Sequence, residues 1–142
     1  MLNLSPIIER LQAAVPSLAR VAGIADYTGL EDATAPVLPA AFVMPAREQV
    51  IEVQDGAKRY RILVESFAVV IACQNVSDAR GEAASEELRA LADSVRGALW
   101  RWRPDSTRLP FEFSDAAPVG YTDQVLIWQE TFTARRPLGV GT

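Results

Sequence analysis

The 142-residue chain has no histidine, one cysteine and, at Lys58, one lysine. Without imidazole it lacks the commonest general acid–base group and the commonest metal ligand. A lone cysteine allows no internal disulfide and no thiolate metal cluster. Cys73 closes the apolar run Phe67-Ala68-Val69-Val70-Ile71-Ala72-Cys73 and reads as a buried, inert core thiol. A nucleophile would need Lys58 as its base, and that residue falls in a hairpin. The chain has no Gly-x-Ser-x-Gly elbow. Its one Gly-x-Gly, Gly139-Val140-Gly141, has no helix after it to receive a phosphate. No apolar run reaches the roughly 18–20 residues of a membrane span. Met1–Pro6 has no basic region followed by an apolar one. The expectation is a soluble, cytoplasmic protein with no membrane partner. With a formal net charge of −4 and no basic run, the chain offers no clustered positive charge for a nucleic-acid backbone, and no sequence-specific nucleic-acid partner is expected.

At 49% hydrophobic and 23% charged residues, the composition is that of a globular protein. Its length suits one domain, residues 1–142. The clearest element is a helix over 79–102. Ala84, Leu88, Leu91, Ala92, Val95, Ala98, Leu99 and Trp102 form one stripe at helical spacing. Glu86, Arg89, Asp93 and Arg96 alternate in sign on the other side, as solvated surface pairs do. Strand-like segments flank this helix, so its stripe needs a sheet face to cover it.

Ser5-Pro6 predicts an N-terminal helix over 5–22, with Ser5 as the N-cap and Pro6 at its first position. Pro16 divides it into a helix near Pro6–Val15 and a further turn over Ser17–Val21. Ile24–Tyr27 is a candidate brief strand. Ala40–Met44 is a short strand stopped by Pro45. Asp55-Gly56 joins two arms of a hairpin over 48–74. The second arm, Ala57–Gln74, would span about 50 Å at roughly 3.3 Å per residue. That is long for one small sheet, so it is either bent by a bulge or projects beyond the body. Arg108–Ser114 is a short strand, followed by a loop through Pro118 and Gly120. A C-terminal strand over 124–135 places Trp128 and Phe132 on one core face. Pro137–Thr142 reads as a poorly ordered tail. The expected class is α+β: a single, mainly antiparallel sheet with a long β-hairpin, one long helix packed across it and an N-terminal helix.

Two features stand outside this scaffold. Carboxylate pairs at Glu31-Asp32, Glu86-Glu87 and Asp115/Asp123 are the raw material of a hydrolase or Mg²⁺ site, but solvated charge is their simpler reading. Trp100-Arg101-Trp102-Arg103 is less ordinary: Trp102 continues the buried stripe, whereas Trp100 points to the polar side. Exposed Trp beside Arg is enriched at protein–protein hot spots. Alternatively the helix frays near Gly97 and both indoles pack on the domain's own loops. Single-strand nucleic-acid stacking sits poorly with the acidic balance.

The order of these pieces resembles the tail terminator (tail-completion) proteins of long-tailed bacteriophages, including minor tail proteins of lambda-like and Mu-like phages. The resemblance runs along nearly the whole chain. It rests on the proline-interrupted helix from Ile7 to Leu18, the proline-flanked strand Val37–Met44 and the long strand ending in Phe67–Ile71. It continues through Asp78–Gly81, Leu88, Leu91, Val95 and Ala98–Pro104 to the closing Trp128–Phe132. It implies a subunit of a hexameric ring that caps the tail tube and faces the head connector, in the virion tail after assembly in the host cytoplasm. It implies neither cofactor nor catalysis. The hairpin edges would serve subunit contacts, and an acidic wall would let DNA pass without sticking. The candidate subunit-interface residues are Arg59, Arg61, Trp100, Arg101 and Arg103. The alternatives are another head–tail joining or tail-tube subunit, a small bacterial α+β binding module, and a small enzyme built on Asp115 and Asp123.

Overall fold

The structure is a computed structural model that describes residues 1–24, 37–74, 82–121 and 125–140. The helices are α1 (Ser5–Ala14) and α2 (Glu82–Leu99). The strands are β1 (Arg20–Gly23), β2 (Ala40–Asp55), β3 (Lys58–Gln74), β4 (Glu112–Tyr121) and β5 (Val125–Val140). The five strands form one sheet in the order β1-β2-β3-β5-β4. β1 runs parallel to β2 and every other pairing is antiparallel. This is the expected α+β class.

Both helices cover the same face of the sheet. Ile7 and Leu11 of α1 and Leu91, Val95 and Leu99 of α2 join Val43, Phe67, Val69, Ile71 and Phe132 in one core. Val95 and Leu99 are fully buried, and such side chains contribute about 1.5–3 kcal/mol each. Phe67 lies at the centre. Its ring meets Phe111 edge-on at 5.0 Å and stacks on Phe132 at 5.5 Å. Phe132 is fully buried, and Trp128 packs against the same core, as their shared strand parity requires. The opposite face carries a smaller cluster of Ala40, Phe42 and Val70.

Several expected boundaries move. Leu4, not Ser5, occupies the N-cap position and gives no side-chain cap; instead Asn3 Oδ1 accepts from Ser5 N at 3.1 Å. The N-terminal helix does not reach residue 22. It stops at Ala14 because Pro16 disfavours helical backbone at Val15, whose ψ is 72°. The chain then turns, Ala19 N bonds Pro39 O at 2.8 Å, and residues 20–23 enter the sheet beside β2. Residues 25–27 of the candidate brief strand lie outside the described residues.

Pro45 does not end its strand. β2 continues to Asp55 and shifts register against β3 between Pro45 and Arg47, a bulge that absorbs a residue unable to donate to the ladder. The hairpin therefore spans 40–74 rather than 48–74. At its turn Gly56 has φ +62°, a conformation that costs glycine little. Pro118 and Gly120 lie within β4, which the expected strand at Arg108–Ser114 mostly misses. β4 tolerates them as an edge strand, with register shifts after Phe113 and after Pro118.

Residues 137–140 of the expected tail are strand, and residues 141–142 lie outside the described residues. β5 runs to Val140 and pairs with the distal half of β3, with Arg61 opposite Gly139 and Tyr60 opposite Val140. The long arm is thus a three-stranded ribbon, bulged as well as extended. Residues 79–81 of the expected main helix and Gln124 of the C-terminal strand lie outside the described residues. At its other end the helix stops at Leu99, three residues short of Trp102.

Candidate assembly surface

The end of α2 is built by a sharp reversal. Trp100 N still bonds Arg96 O at 2.9 Å. Arg101 then takes φ +63°, a left-handed conformation that costs an ordinary L-residue about 1–2 kcal/mol. Two backbone bonds hold the reversal: Arg101 N to Phe111 O and Phe111 N to Trp102 O, each 2.8 Å. Residues 100–102 therefore lie outboard of residues 109–111. That segment in turn runs along β5, with Leu109 N donating to Arg135 O at 2.9 Å.

The reversal separates the two indoles. Trp102 turns back to the core, edge-on to Phe111 at 5.8 Å, with the Arg10 guanidinium 5.5 Å from its ring centre. Arg10 Nε also donates to Ala98 O at 3.1 Å, satisfying a carbonyl of the last helical turn. Trp100 stays outside, 48% exposed. Its Nε1 donates to Glu112 Oε2 at 3.4 Å, and the Arg101 guanidinium lies 4.9 Å from its ring centre. The helix does not fray at Gly97, and the two tryptophans differ in placement: Trp102 packs on the core and Trp100 does not.

An open groove of about 560 Å³ adjoins Trp100, lined by Arg101, Leu109, Pro110, Glu112 and Arg135. Leu109 is 56% exposed. Arg103 Nη1 donates to Arg108 O at 3.5 Å. Asp105 caps the following turn, accepting from Thr107 N at 2.8 Å. Hydrogen bonds from the Thr107 hydroxyl and amide hold its carboxyl below the usual carboxylate range, helped by Arg108 and Arg103.

Trp100, Arg101 and Arg103 thus come together at the β4 edge. Arg59 and Arg61 do not join them. Both are exposed on β3 in the arm, opposite Gln54 and Glu52 of β2.

Two buried carboxylates escaped the sequence reading. Glu130 is fully buried, and Arg96 grips it through Nε to Oε1 at 3.1 Å and Nη2 to Oε2 at 3.0 Å. Trp128 Nε1 adds a bond at 3.3 Å, and the Arg96 guanidinium lies 4.0 Å over the Phe113 ring. Arg96 is therefore an anchor between helix and sheet and not a solvated surface charge. Glu65, also buried, meets Arg108 Nε at 3.3 Å and Arg136 Nε at 3.5 Å; its Oε2 accepts no hydrogen bond. Strand parity was the available signal: Glu65 and Glu130 each stand two residues from an inward phenylalanine, Phe67 and Phe132.

Glu86 and Glu87 are exposed on α2 and Asp115 is exposed on β4; Glu31, Asp32 and Asp123 lie outside the described residues. Among the described residues no three His, Cys, Asp or Glu side chains group to hold a metal, and no helix is long and apolar enough to cross a membrane. Burial pushes the Cys73 thiol up to about 12, with a smaller contribution from Glu87.

No curated protein matches the chain. Among solved structures, a chain described as "Virion of native gene transfer agent (GTA) particle" has the same fold, with a TM-score of 0.52 and 15% identity, covering 92% of this chain and 91% of that one. A family model described as "Phage tail terminator protein" matches residues 1–140. The chain belongs to the phage tail terminator family and is a structural protein of a phage tail.

Proposed function

We propose that six copies of this chain close into a ring that caps the tail tube, stops its growth and presents a surface to the head connector. The ring assembles in the host cytoplasm and resides in the virion tail. It works by contact alone, with no catalysis and no cofactor. Arg59, Arg61, Trp100, Arg101 and Arg103 belong to the contacts between subunits or with the tube and connector.

The observation that carries this reading is the open, two-edged sheet. β1 and β4 are its outer strands, and Trp100 stands exposed beside one edge. A contact between two different surfaces of one chain generates a ring when its rotation closes. Family membership supports the role at the tube end, and the formal net charge of −4 suits a wall past which DNA moves.

The test is light scattering coupled to gel filtration, with electron microscopy of tails assembled with and without the protein. Six times the chain mass and tubes of uniform length are expected. A strict monomer, at high concentration and beside tail tubes, overturns the reading.

A further inference from the structure

β2 carries a long bare edge. β1 pairs only with Ala40–Val43, so among the described residues Met44–Asp55 have no strand on their outer side. A free edge of this length is an aggregation hazard unless something covers it. Beyond the bulge the edge is acidic. Glu52 and Asp55 stand there, and Glu48 beside Arg47 is already met by the Met1 ammonium at 3.4 Å, while the basic Lys58, Arg59 and Arg61 lie one strand inward on β3. Its most exposed apolar side chain is Val50, 52% accessible. Val50 and Glu52 are two residues apart and share one face. Their partners in register, Leu63 and Arg61, have the parity of Phe67, which identifies that face as the helix-bearing one.

The surface around Trp100 is the complement. It is apolar at Trp100 and Leu109 and carries three exposed guanidiniums, Arg101, Arg103 and Arg135, against the exposed carboxylate of Glu112, which already accepts from the Trp100 indole. It also lies at the opposite edge: three strand spacings of roughly 4.8 Å separate β2 from β4, about 14 Å. One molecule therefore holds the two surfaces apart, on opposite edges of its own sheet.

We infer that the free edge of β2 docks on the Trp100–Leu109 surface of a second copy of this chain, with Glu52 meeting Arg101 and Val50 meeting Leu109. The contact rests on the ring reading and specifies which surfaces build it. It is head-to-tail, so each copy keeps one unused donor and one unused acceptor surface until the ring closes. Arg61 stands opposite Glu52 in register on the same chain; an exposed cross-strand charge pair is worth only about 0.2–1 kcal/mol, which leaves the carboxylate available to a second guanidinium. Apolar contact at Val50 and Leu109 supplies the desolvated centre, and the charges set orientation and register.

The buried Cys73 permits a clean test in the full-length chain. Val50→Cys/Leu109→Cys places two thiols on exposed positions, and mild oxidation of the assembled protein should give a ladder of covalent multimers that either single variant lacks. In parallel, Glu52→Arg and Arg101→Glu should each raise the concentration for half-assembly by about tenfold or more. The double reversal should return it to within about threefold of the original. Assembled protein that gives no ladder, with a double reversal no better than the singles, overturns this contact and leaves the ring reading standing. A chain that stays monomeric at every concentration and beside tail tubes overturns both.

Discussion

Arg96 holds Glu130 through both carboxylate oxygens, at 3.1 and 3.0 Å, and Glu130 is fully buried beneath it. This one pair fastens the last turns of α2 to β5. Removing the guanidinium leaves a buried carboxylate with only the Trp128 indole as a partner. Arg96→Ala should therefore lower the unfolding free energy by about 2–4 kcal/mol, read from urea denaturation. Arg96→Met with Glu130→Leu should recover most of that loss, because no charge is then left desolvated. A loss under about 0.5 kcal/mol for the single variant, the range of ordinary surface substitutions, means that water already screens the site.

The two tryptophans should separate assembly from folding. Trp102 packs on Phe111 and Arg10, so Trp102→Ala should cost about 2–4 kcal/mol. Trp100 is half exposed, and Trp100→Ala should cost under about 1 kcal/mol while weakening oligomers in light scattering. A sharp fall in thermal midpoint with unchanged oligomer size would make Trp100 a core residue.

Arg101 supplies a second separation. Its φ of +63° suits glycine, so Arg101→Gly relieves backbone strain while adding freedom to the unfolded chain. These effects oppose one another, and stability should stay within about 1 kcal/mol of the original. Assembly should fall, because the guanidinium is gone.

Cys73 predicts a pH dependence. Its thiol rises from 9.0 to about 12 in the fold. Between those values the unfolded chain gives up a proton that the folded chain keeps, so stability falls as pH rises. The slope from this group reaches at most about 1.4 kcal/mol per pH unit. Cys73→Ala should lack this contribution when denaturation is compared at pH 8 and pH 10.5. In the native protein at pH 8 a thiol reagent should label Cys73 only through unfolding.

Trimming the arm tests its role directly. Deleting residues 52–61, with a two-residue turn in their place, removes exposed ribbon and spares the Phe67 core. The subunit should unfold cooperatively and fail to close a ring. Unchanged rings would show that the arm is dispensable for assembly.

Local rules carried much of this protein. The stripe through Leu88, Leu91, Val95 and Leu99 declared α2, the alternation of β3 declared its strand, and Asp55-Gly56 declared the turn. Each depends on neighbours within a few residues, so each was legible in sequence. Proline misled wherever the sheet offered an edge. Pro45 and Pro118 look like strand breakers, yet the missing N–H costs little where no partner strand waits for it. The tail misled for the opposite reason. Pro137–Val140 has no local signal for order and becomes a strand because β3 extends far enough to pair with it.

The candidate surface divides the same way. Composition alone showed a chain without histidine, with one thiol and with a net charge of −4, and spacing alone set Trp100 off the apolar stripe. Only the tertiary structure decided that Arg101 reverses the chain, that Arg96 turns inward to Glu130, and that Trp100 and the acidic edge of β2 lie on opposite sides of one sheet. Those relationships join residues tens of positions apart. Periodicity reports which way a side chain faces along its own element, whereas strand order and register determine what it meets.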